Sequence, residues 1–231
     1  MVILIFANGE PVSPSVVKQQ LAEVDYIIAA DGGTRHCRLL GITPDIVIGD
    51  LDSTDKELLG EFTRSGVTVD RHPVDKDATD LELALVHCLA KGATRVIVSS
   101  ALGGRWDMSL ANILLMANEK YRKMQISIVA DCSTISILHP GDNRVCGRQG
   151  QRVSLLPLKN DVTGVRLTGF RYPLDDYDIQ FGSTIGVSNL LVQPSGAIYH
   201  AEGILLCVTE RTDDEDHDSS SPRKGFPTKI E

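Results

Sequence analysis

The chain has 231 residues, of which 42% are hydrophobic and 23% charged, enough apolar material for the core of one large or two small domains. Its formal charge of −8 excludes the basic footprint of a nucleic-acid binder, so any phosphate ligand must be met by local cations or metal ions. The five cysteines, Cys37, Cys88, Cys132, Cys146 and Cys207, are odd in number and contain no CxxC pair, which argues against a disulfide frame or zinc site and for free thiols in a reducing compartment.

In chain order, "VILIF" (2–6) reads as a first buried strand. The opening "MVILIFANG" is too short to span a membrane, and no charged segment precedes it, so a cytoplasmic location is expected. A short helix over 13–22 leads to the strand "VDYIIAA" (24–30), stopped by "DGG". A helix over 34–40 precedes the strand "DIVIG" (45–49), and a helix over 55–65 precedes "VTVD" (67–70). A helix over 78–91 leads to the strand "RVIVSS" (95–100). Residues 107–122 predict an amphipathic helix with Leu110, Ile113, Leu114, Ala117 and Tyr121 on one apolar face, and "ISIVA" (126–130) closes this half. Continuous β-branched strands alternating with helices imply an α/β domain with a mostly parallel sheet covered on both faces.

After about residue 131 the segments shorten and Gly, Pro and Asn turns separate them, as in "TISILHPG", "QRVSLLPL" and "AIYHAEGILLCVTE". An all-β antiparallel sandwich or barrel is expected there. The expected organisation is therefore an α/β domain over 1–131, a β-sandwich domain over 132–210, and a charged, Ser-rich and disordered tail over 211–231.

Ligands of open parallel sheets bind at the carboxyl ends of the strands, and acidic residues gather at those ends here. Asp31 follows "YIIAA", Asp50 and Asp52 follow "DIVIG", Asp77 and Asp80 precede the helix over 78–91, and Asp107 follows "RVIVSS". Singly, Asp80 and Asp107 are also explained by helix capping and the helix dipole. Delivery of carboxylate from four strand ends is not required by that explanation. Clustered carboxylates repel one another, and a hard cation with oxygen ligands relieves this, so Asp31, Asp50, Asp52 and Asp80 are candidate Mg²⁺ ligands facing a polyphosphate. In extended backbone Asp50 and Asp52 point the same way. Gly32-Gly33 and Gly103-Gly104 sit at strand-to-helix turns where backbone can approach an anion. Arg105 offers forked contacts to phosphate oxygens, and Lys76 adds a further cation.

"AADGG", "PDIVIGDLDS", "DKDATDLELAL", "GGRWDMSLANI" and "YPLDDYDIQFGSTIGVSNLL" together resemble, in order and spacing, the motifs of the thiamine pyrophosphokinase family. The resemblance covers about residues 2–209. It implies an N-terminal α/β domain binding ATP and Mg²⁺, a C-terminal β-sandwich, and a homodimer with thiamine held between domains of neighbouring subunits. The implied reaction transfers pyrophosphate from ATP to the thiamine hydroxyl and releases AMP. Carried onto this chain, Asp31, Asp50, Asp52, Asp80 and Asp107 form the acidic set around metal and substrate, with Asp107 the candidate base. Arg105 becomes a phosphate contact, and Ser183, Ser188 and Asn189 become thiamine contacts. Two positions depart from the family pattern: Met108 stands where many bacterial relatives carry His, and Leu190 where Glu is frequent. A thioether relays no proton, so no His-dependent step operates at Met108. Alternatives are a pyrophosphokinase for another hydroxymethyl heterocycle such as a pterin, a phosphate-ester hydrolase with an aspartate nucleophile, and a nucleotide or thiamine sensor without turnover.

Overall fold

The computed structural model describes residues 1–75 and 77–211; Lys76 and the charged tail beyond Arg211 lie outside the described residues. Strands and helices alternate through β1 (Val2–Phe6), α1 (Pro14–Leu21), β2 (Tyr26–Ala30), α2 (Gly33–Leu40), β3 (Ile46–Gly49), α3 (Lys56–Arg64) and β4 (Thr68–Arg71). They continue through α4 (Asp80–Ala90), β5 (Arg95–Ser99), α5 (Trp106–Met116), a 3₁₀ turn (Glu119–Tyr121) and β6 (Gln125–Val129). The remaining elements are strands: β7 (Ser133–Leu138), β8 (Gly141–Cys146), β9 (Arg152–Pro157), β10 (Val162–Thr168), β11 (Leu174–Ile179), β12 (Asn189–Leu190), β13 (Ser195–His200) and β14 (Leu205–Glu210).

The first six strands pair in parallel in the order β4-β3-β2-β1-β5-β6. Their side chains alternate between two cores, as the period of two requires. Ile3, Ile5, Ile28, Ile48, Val96 and Val98 face one side, with Leu81, Leu85 and Cys88 of α4 and Met116 of α5. Leu4, Phe6, Ala29, Val47 and Ile97 face the other, with Val16 and Val17 of α1, Cys37 of α2, and Leu58 and Phe62 of α3. Both faces are covered, which is why these strands read as unbroken apolar runs. The order reverses between β1 and β5, the switch point at which such sheets bind ligands.

The C-terminal half is an antiparallel β-sandwich. Its strands β7, β14, β9 and β12 extend the first sheet beyond β6, giving one ten-stranded sheet of order β12-β9-β14-β7-β6-β5-β1-β2-β3-β4. A four-stranded sheet, β11-β10-β13-β8, packs on that extension around Val153, Leu155, Val165, Phe170, Ile179, Leu191, Ile198 and Leu205. The point where the texture of the sequence changes, Asp131–Cys132, is thus the short connection between two hydrogen-bonded neighbours, β6 and β7.

One expectation is corrected. The helix predicted to run to 122 ends at Met116, and Tyr121 lies in the 3₁₀ turn, where the Asn118 side chain accepts from the Lys120 amide at 3.1 Å. The face expected to be buried is split: Ile113 packs against the core and Tyr121 is buried, but the two leucines turn outward. Leu110 is 56% and Leu114 47% exposed, while Ser109, Asn112 and Met116 are buried. The polar pair points inward because the turn after β5 leaves backbone groups that need partners. The Asn112 amide donates to the Ala101 carbonyl at 2.7 Å, and the Ser109 hydroxyl accepts from the Gly103 amide at 3.0 Å.

His200, at the end of β13, is fully buried. Desolvation pushes its imidazole below the ordinary value of 6.5, the charge of nearby His139 acts in the same sense, and a backbone contact at Gly203 partly opposes them. His139 is also lowered by burial. Neutral rings fold in and charged rings are favoured in the unfolded chain. The stability they contribute is therefore intact above the unfolded value and lost as the pH falls through the lower folded value. The melting temperature is expected to drop between about pH 7.5 and about pH 5 in a thermal-shift titration, and His200→Phe to flatten that slope.

Candidate functional site

The site begins where β2 and β3 end. Asp31 follows β2 with a left-handed backbone, φ 43°, and its amide donates to the Ile48 carbonyl at 2.8 Å. After β3 the chain passes through Gly49 at φ 149° and Leu51 at φ 66°. Gly49 is needed there: a Cβ would lie 2.9 Å from Asp80 Oδ1 and 3.1 Å from the Asp31 Cβ. The left-handed Leu51 tucks its own side chain into the core, and both neighbouring aspartates reach the ligand edge. Asp50 and Asp52 therefore converge through a bend at Leu51, not through the extended alternation expected from the sequence. The Asp52 amide donates back to Asp50 Oδ1 at 3.2 Å, and the Ser53 hydroxyl donates to Asp52 Oδ1 at 3.0 Å.

The result is a carboxylate cluster. One oxygen from each of Asp31, Asp50 and Asp52 lies within 4.8 Å of the others. Asp31 is 4% exposed, and burial raises its pKa, with the charges of Asp80 and Asp50 acting in the same direction. Hydrogen bonds from the Gly32 backbone and Ser53 partly oppose the rise. An all-oxygen set with this mutual repulsion fits a hard divalent cation of the Mg²⁺ type. Asp80 opens α4 beside this group, with Thr79 as the cap: its side chain accepts from the Glu82 amide at 3.2 Å.

These residues border a cavity of about 660 Å³ on the carboxyl edge of the sheet. Asp31, Asp50, Asp52 and Asp80 line it on one side, and Gly103, Gly104, Arg105 and Met108 on the other. The structure thus gathers most of the N-terminal candidates. The exceptions are informative. Gly32 and Gly33 do not line the cavity; a Cβ on Gly33 would sit 1.9 Å from the Phe6 carbonyl oxygen, so this glycine lets α2 start hard against β1. Asp107 is likewise outside the lining, paired with Arg105 at 2.6 Å (Nη2 to Oδ2) and 3.4 Å (Nε to Oδ1). That hydrogen bond holds the Asp107 carboxyl below the usual range and raises the Arg105 guanidinium. Asp77 is exposed and also outside the lining.

The C-terminal candidates lie elsewhere, and none lines this cavity. Ser188 is exposed at φ 61°, with its amide donating to Ser154 Oγ at 3.0 Å. Ser183 Oγ accepts from the Ile185 amide at 3.3 Å. Asn189 is buried, and its side chain is used internally: Nδ2 donates to the Tyr172 carbonyl at 2.8 Å, and Oδ1 accepts from the Tyr172 amide at 3.0 Å. It clamps the chain entering β11.

Several lining residues carried no signal as single letters. Asn8, Gly9 and Glu10 reach the cavity because the segment after β1 stays hydrogen-bonded to the segment after β5: the Gly9 amide donates to the Ser100 carbonyl at 2.6 Å and the Glu10 amide to the Leu102 carbonyl at 2.8 Å. Ser109 and Asn112 reach it from the side of α5 that the apolar periodicity does not mark.

The doubly wound sheet thus places an acidic, cavity-facing carboxyl edge and a glycine-arginine rim at its switch point, the position where α/β proteins of this class bind ligands. The family model described as thiamin pyrophosphokinase, catalytic domain, matches residues 17–129, and that described as thiamin pyrophosphokinase, vitamin B1 binding domain, matches residues 134–205. A thiamine pyrophosphokinase of Bacillus subtilis is 31% identical over 182 residues, 78% of this chain and 85% of that protein. Crystal structures of thiamine pyrophosphokinases from B. subtilis and Geobacillus thermodenitrificans superpose with TM-scores of 0.83 and 0.80, each at 28% identity. They cover 92% and 93% of this chain and 100% and 99% of theirs. The chain belongs to the thiamin pyrophosphokinase family.

Removing the buried amide that holds the glycine rim should be felt twice. Asn112→Ala leaves the Ala101 carbonyl unpaired and is expected to cost about 1–3 kcal/mol in denaturant unfolding. It should also raise the KM for ATP more than that for the acceptor, read in initial-rate kinetics.

Proposed function

We propose that the chain transfers pyrophosphate from ATP to the hydroxyl of thiamine, giving thiamine diphosphate and AMP, and does so as a homodimer with Mg²⁺. The observation that carries this is the convergence of Asp31, Asp50 and Asp52 oxygens within 4.8 Å on one side of a cavity with Gly103, Gly104 and Arg105 opposite. Bound Mg²⁺ would neutralise charge on the phosphate oxygens and favour attack at the β-phosphorus.

The protein's own groups do the rest. Asp31, Asp50, Asp52 and Asp80 are the proposed cation ligands. Arg105 fixes phosphate oxygens by exchanging Asp107 for them, which frees the Asp107 carboxylate to face the acceptor. The alcohol oxygen forms the new bond to the β-phosphorus, the bridging oxygen leaves with AMP, and the alcohol proton passes to a carboxylate or water. Alignment, not strong base catalysis, is the main demand in a loose transition state. Met108 lines the cavity as an apolar wall and takes no proton.

The acceptor is proposed to be held by the other subunit. The strand β12, which carries Asn189, is at one edge of the ten-stranded sheet, eight inter-strand steps from β3 and its Asp50. At roughly 4.8 Å per step that is on the order of 35–40 Å before twist, too far for a thiamine-sized molecule to bridge within one chain. Apolar side chains beside both half-sites are left uncovered: Trp106 (83% exposed), Leu110 and Leu114 along α5, and Phe181, Ile185 and Val187 beside Ser183 and Ser188. Residues four apart on a helix share a face, so the α5 residues form one stripe. The five cysteines are free, in keeping with a cytoplasmic location. No helix among the described residues is long and apolar enough to cross a membrane.

Incubation with ATP, Mg²⁺ and thiamine should yield thiamine diphosphate and AMP by mass spectrometry. Thiamine monophosphate with ADP, or free phosphate alone, would refute the reaction. Asp52→Asn should reduce turnover by about two orders of magnitude or more without unfolding the chain. The double change Leu110→Asp, Leu114→Asp should give monomers in sedimentation velocity and abolish thiamine-dependent AMP release; a fully active monomer would refute the shared site.

A further inference from the structure

Asp31 is the deepest of the three clustered carboxylates, and something must fix its orientation before a cation arrives. Two buried threonines surround it. Thr34 is the second residue of α2, and Thr54 lies just beyond the Asp50–Asp52 bend. Their hydroxyl oxygens are 3.5 Å apart.

A count of protons and lone pairs assigns their roles. The Asp31 backbone carbonyl accepts from the Thr34 amide at 3.1 Å and from the Thr34 hydroxyl at 2.9 Å, which fills its two lone pairs. Thr54 Oγ1 lies 3.2 Å from that same carbonyl oxygen and 3.3 Å from Asp31 Oδ1. Its single proton is therefore best placed on the carboxylate. Ser53 lies within hydrogen-bond reach of both Asp31 and Asp52 Oδ1, but it is exposed, so its one proton is shared between them and water can stand in for it. Water has no such access to Thr54, which is 6% exposed.

We propose that Thr54 is a positioning residue for the cation site: its hydroxyl donates to Asp31 Oδ1 and holds that carboxylate in the cluster with Asp50 and Asp52. This rests on the cation reading of the cluster given above. The effect passes through Asp31 and not through contact with substrate. Hydrogen bonds to metal-binding carboxylates act by fixing the ligand oxygen before binding, and their loss typically weakens metal affinity 10–100-fold. Thr54→Val keeps the shape of the side chain and removes only the hydroxyl, whereas Thr54→Ser keeps the hydroxyl and removes the methyl.

The test is Mn²⁺ binding to the full chain without nucleotide, read from the electron paramagnetic resonance signal of free Mn²⁺. T54V should weaken binding about tenfold or more, T54S less than about threefold, and T54V added to Asp31→Asn less than about twofold. In turnover, T54V should raise the Mg²⁺ concentration for half-maximal rate and leave the rate at saturating Mg²⁺ near the parent's. If D31N weakens Mn²⁺ binding and T54V does not, the role of Thr54 is refuted while the cation site stands. If D31N binds as the parent does, both fall. Equal damage from T54S and T54V would assign the effect to packing of the methyl and also refute the proposal. Thermal melting accompanies each variant, and Thr54→Ala is read by the same criteria if T54V does not fold.

Discussion

Crowding of like charge at the ends of β2 and β3 is the constraint on which the rest of the site depends. Carboxylates within about 4–6 Å raise one another's pKa, and burial adds to the effect. Asp31 carries both burdens, with burial the larger cause. The backbone that delivers these groups is itself unfavourable, since non-glycine residues at positive φ cost of order 1–3 kcal/mol each, and Asp31 and Leu51 both adopt it. What offsets this is the surrounding scaffold. Ile48 holds the Asp31 amide, the buried Leu51 anchors the bend, and Gly49 leaves room for Asp80. A site of this kind is stable only because strands covered on both faces fix its two sides.

The opposite rim follows a different logic. The turn after β5 exposes backbone amides and carbonyls at the mouth of the cavity, and α5 satisfies some of them from below with Ser109 and Asn112. Those bonds set the position of Gly103 and Gly104 without a bulky side chain at the rim. Arg105 then begins the helix with its guanidinium engaged by Asp107, so its charge is already oriented along the edge before a ligand arrives. The cavity thus has carboxylates on one side and a carboxylate-paired arginine on the other, a charge pattern that suits the proposed cation-loaded phosphate chain better than a bare one.

Much of this was legible in the sequence. Continuous runs such as "YIIAA" and "DIVIG" pointed to strands covered on both faces, and the aspartates that follow them, Asp31, Asp50 and Asp52, are the ones the structure brings together beside the cavity. The helix face of α5 was not legible. Hydrophobic periodicity assumes that a core accepts apolar side chains along the whole helix, but the turn after β5 beneath the first half of α5 offers backbone polar groups, so Ser109 and Asn112 turn inward there and Leu110 and Leu114 turn outward, while Ile113 and Met116 meet the apolar core. The convergence of Asp50 and Asp52 was anticipated in place but not in cause, because nothing in the letters "GDLD" reveals a left-handed leucine. Glycine pairs at strand-to-helix turns serve either ligand approach or close packing, and sequence alone does not separate the two; Gly33 serves the second, against Phe6. Asn189 hid a similar ambiguity: its amide is occupied by the Tyr172 backbone, so it ties β12 to the chain entering β11.

The change of texture near residue 131 separates two styles of strand and not two separate sheets. β7 pairs with β6 through Ser127–Ser136, Ile128–Ile135 and Val129–Thr134, so the hydrogen-bond ladder runs through the junction without a break. A hinge at this point would have to break that ladder, and the edge carrying β12 is therefore held at a fixed remove from the acid cluster. If chemistry needs both ends, folding one chain back on itself cannot supply the contact. Association of two chains, as proposed above, could supply it, because a two-fold axis that set the β12 end of one sheet against the β3 end of the other would do so twice over. In such a pair the same length of sheet that separates the two proposed half-sites within a chain would bring each against its complement.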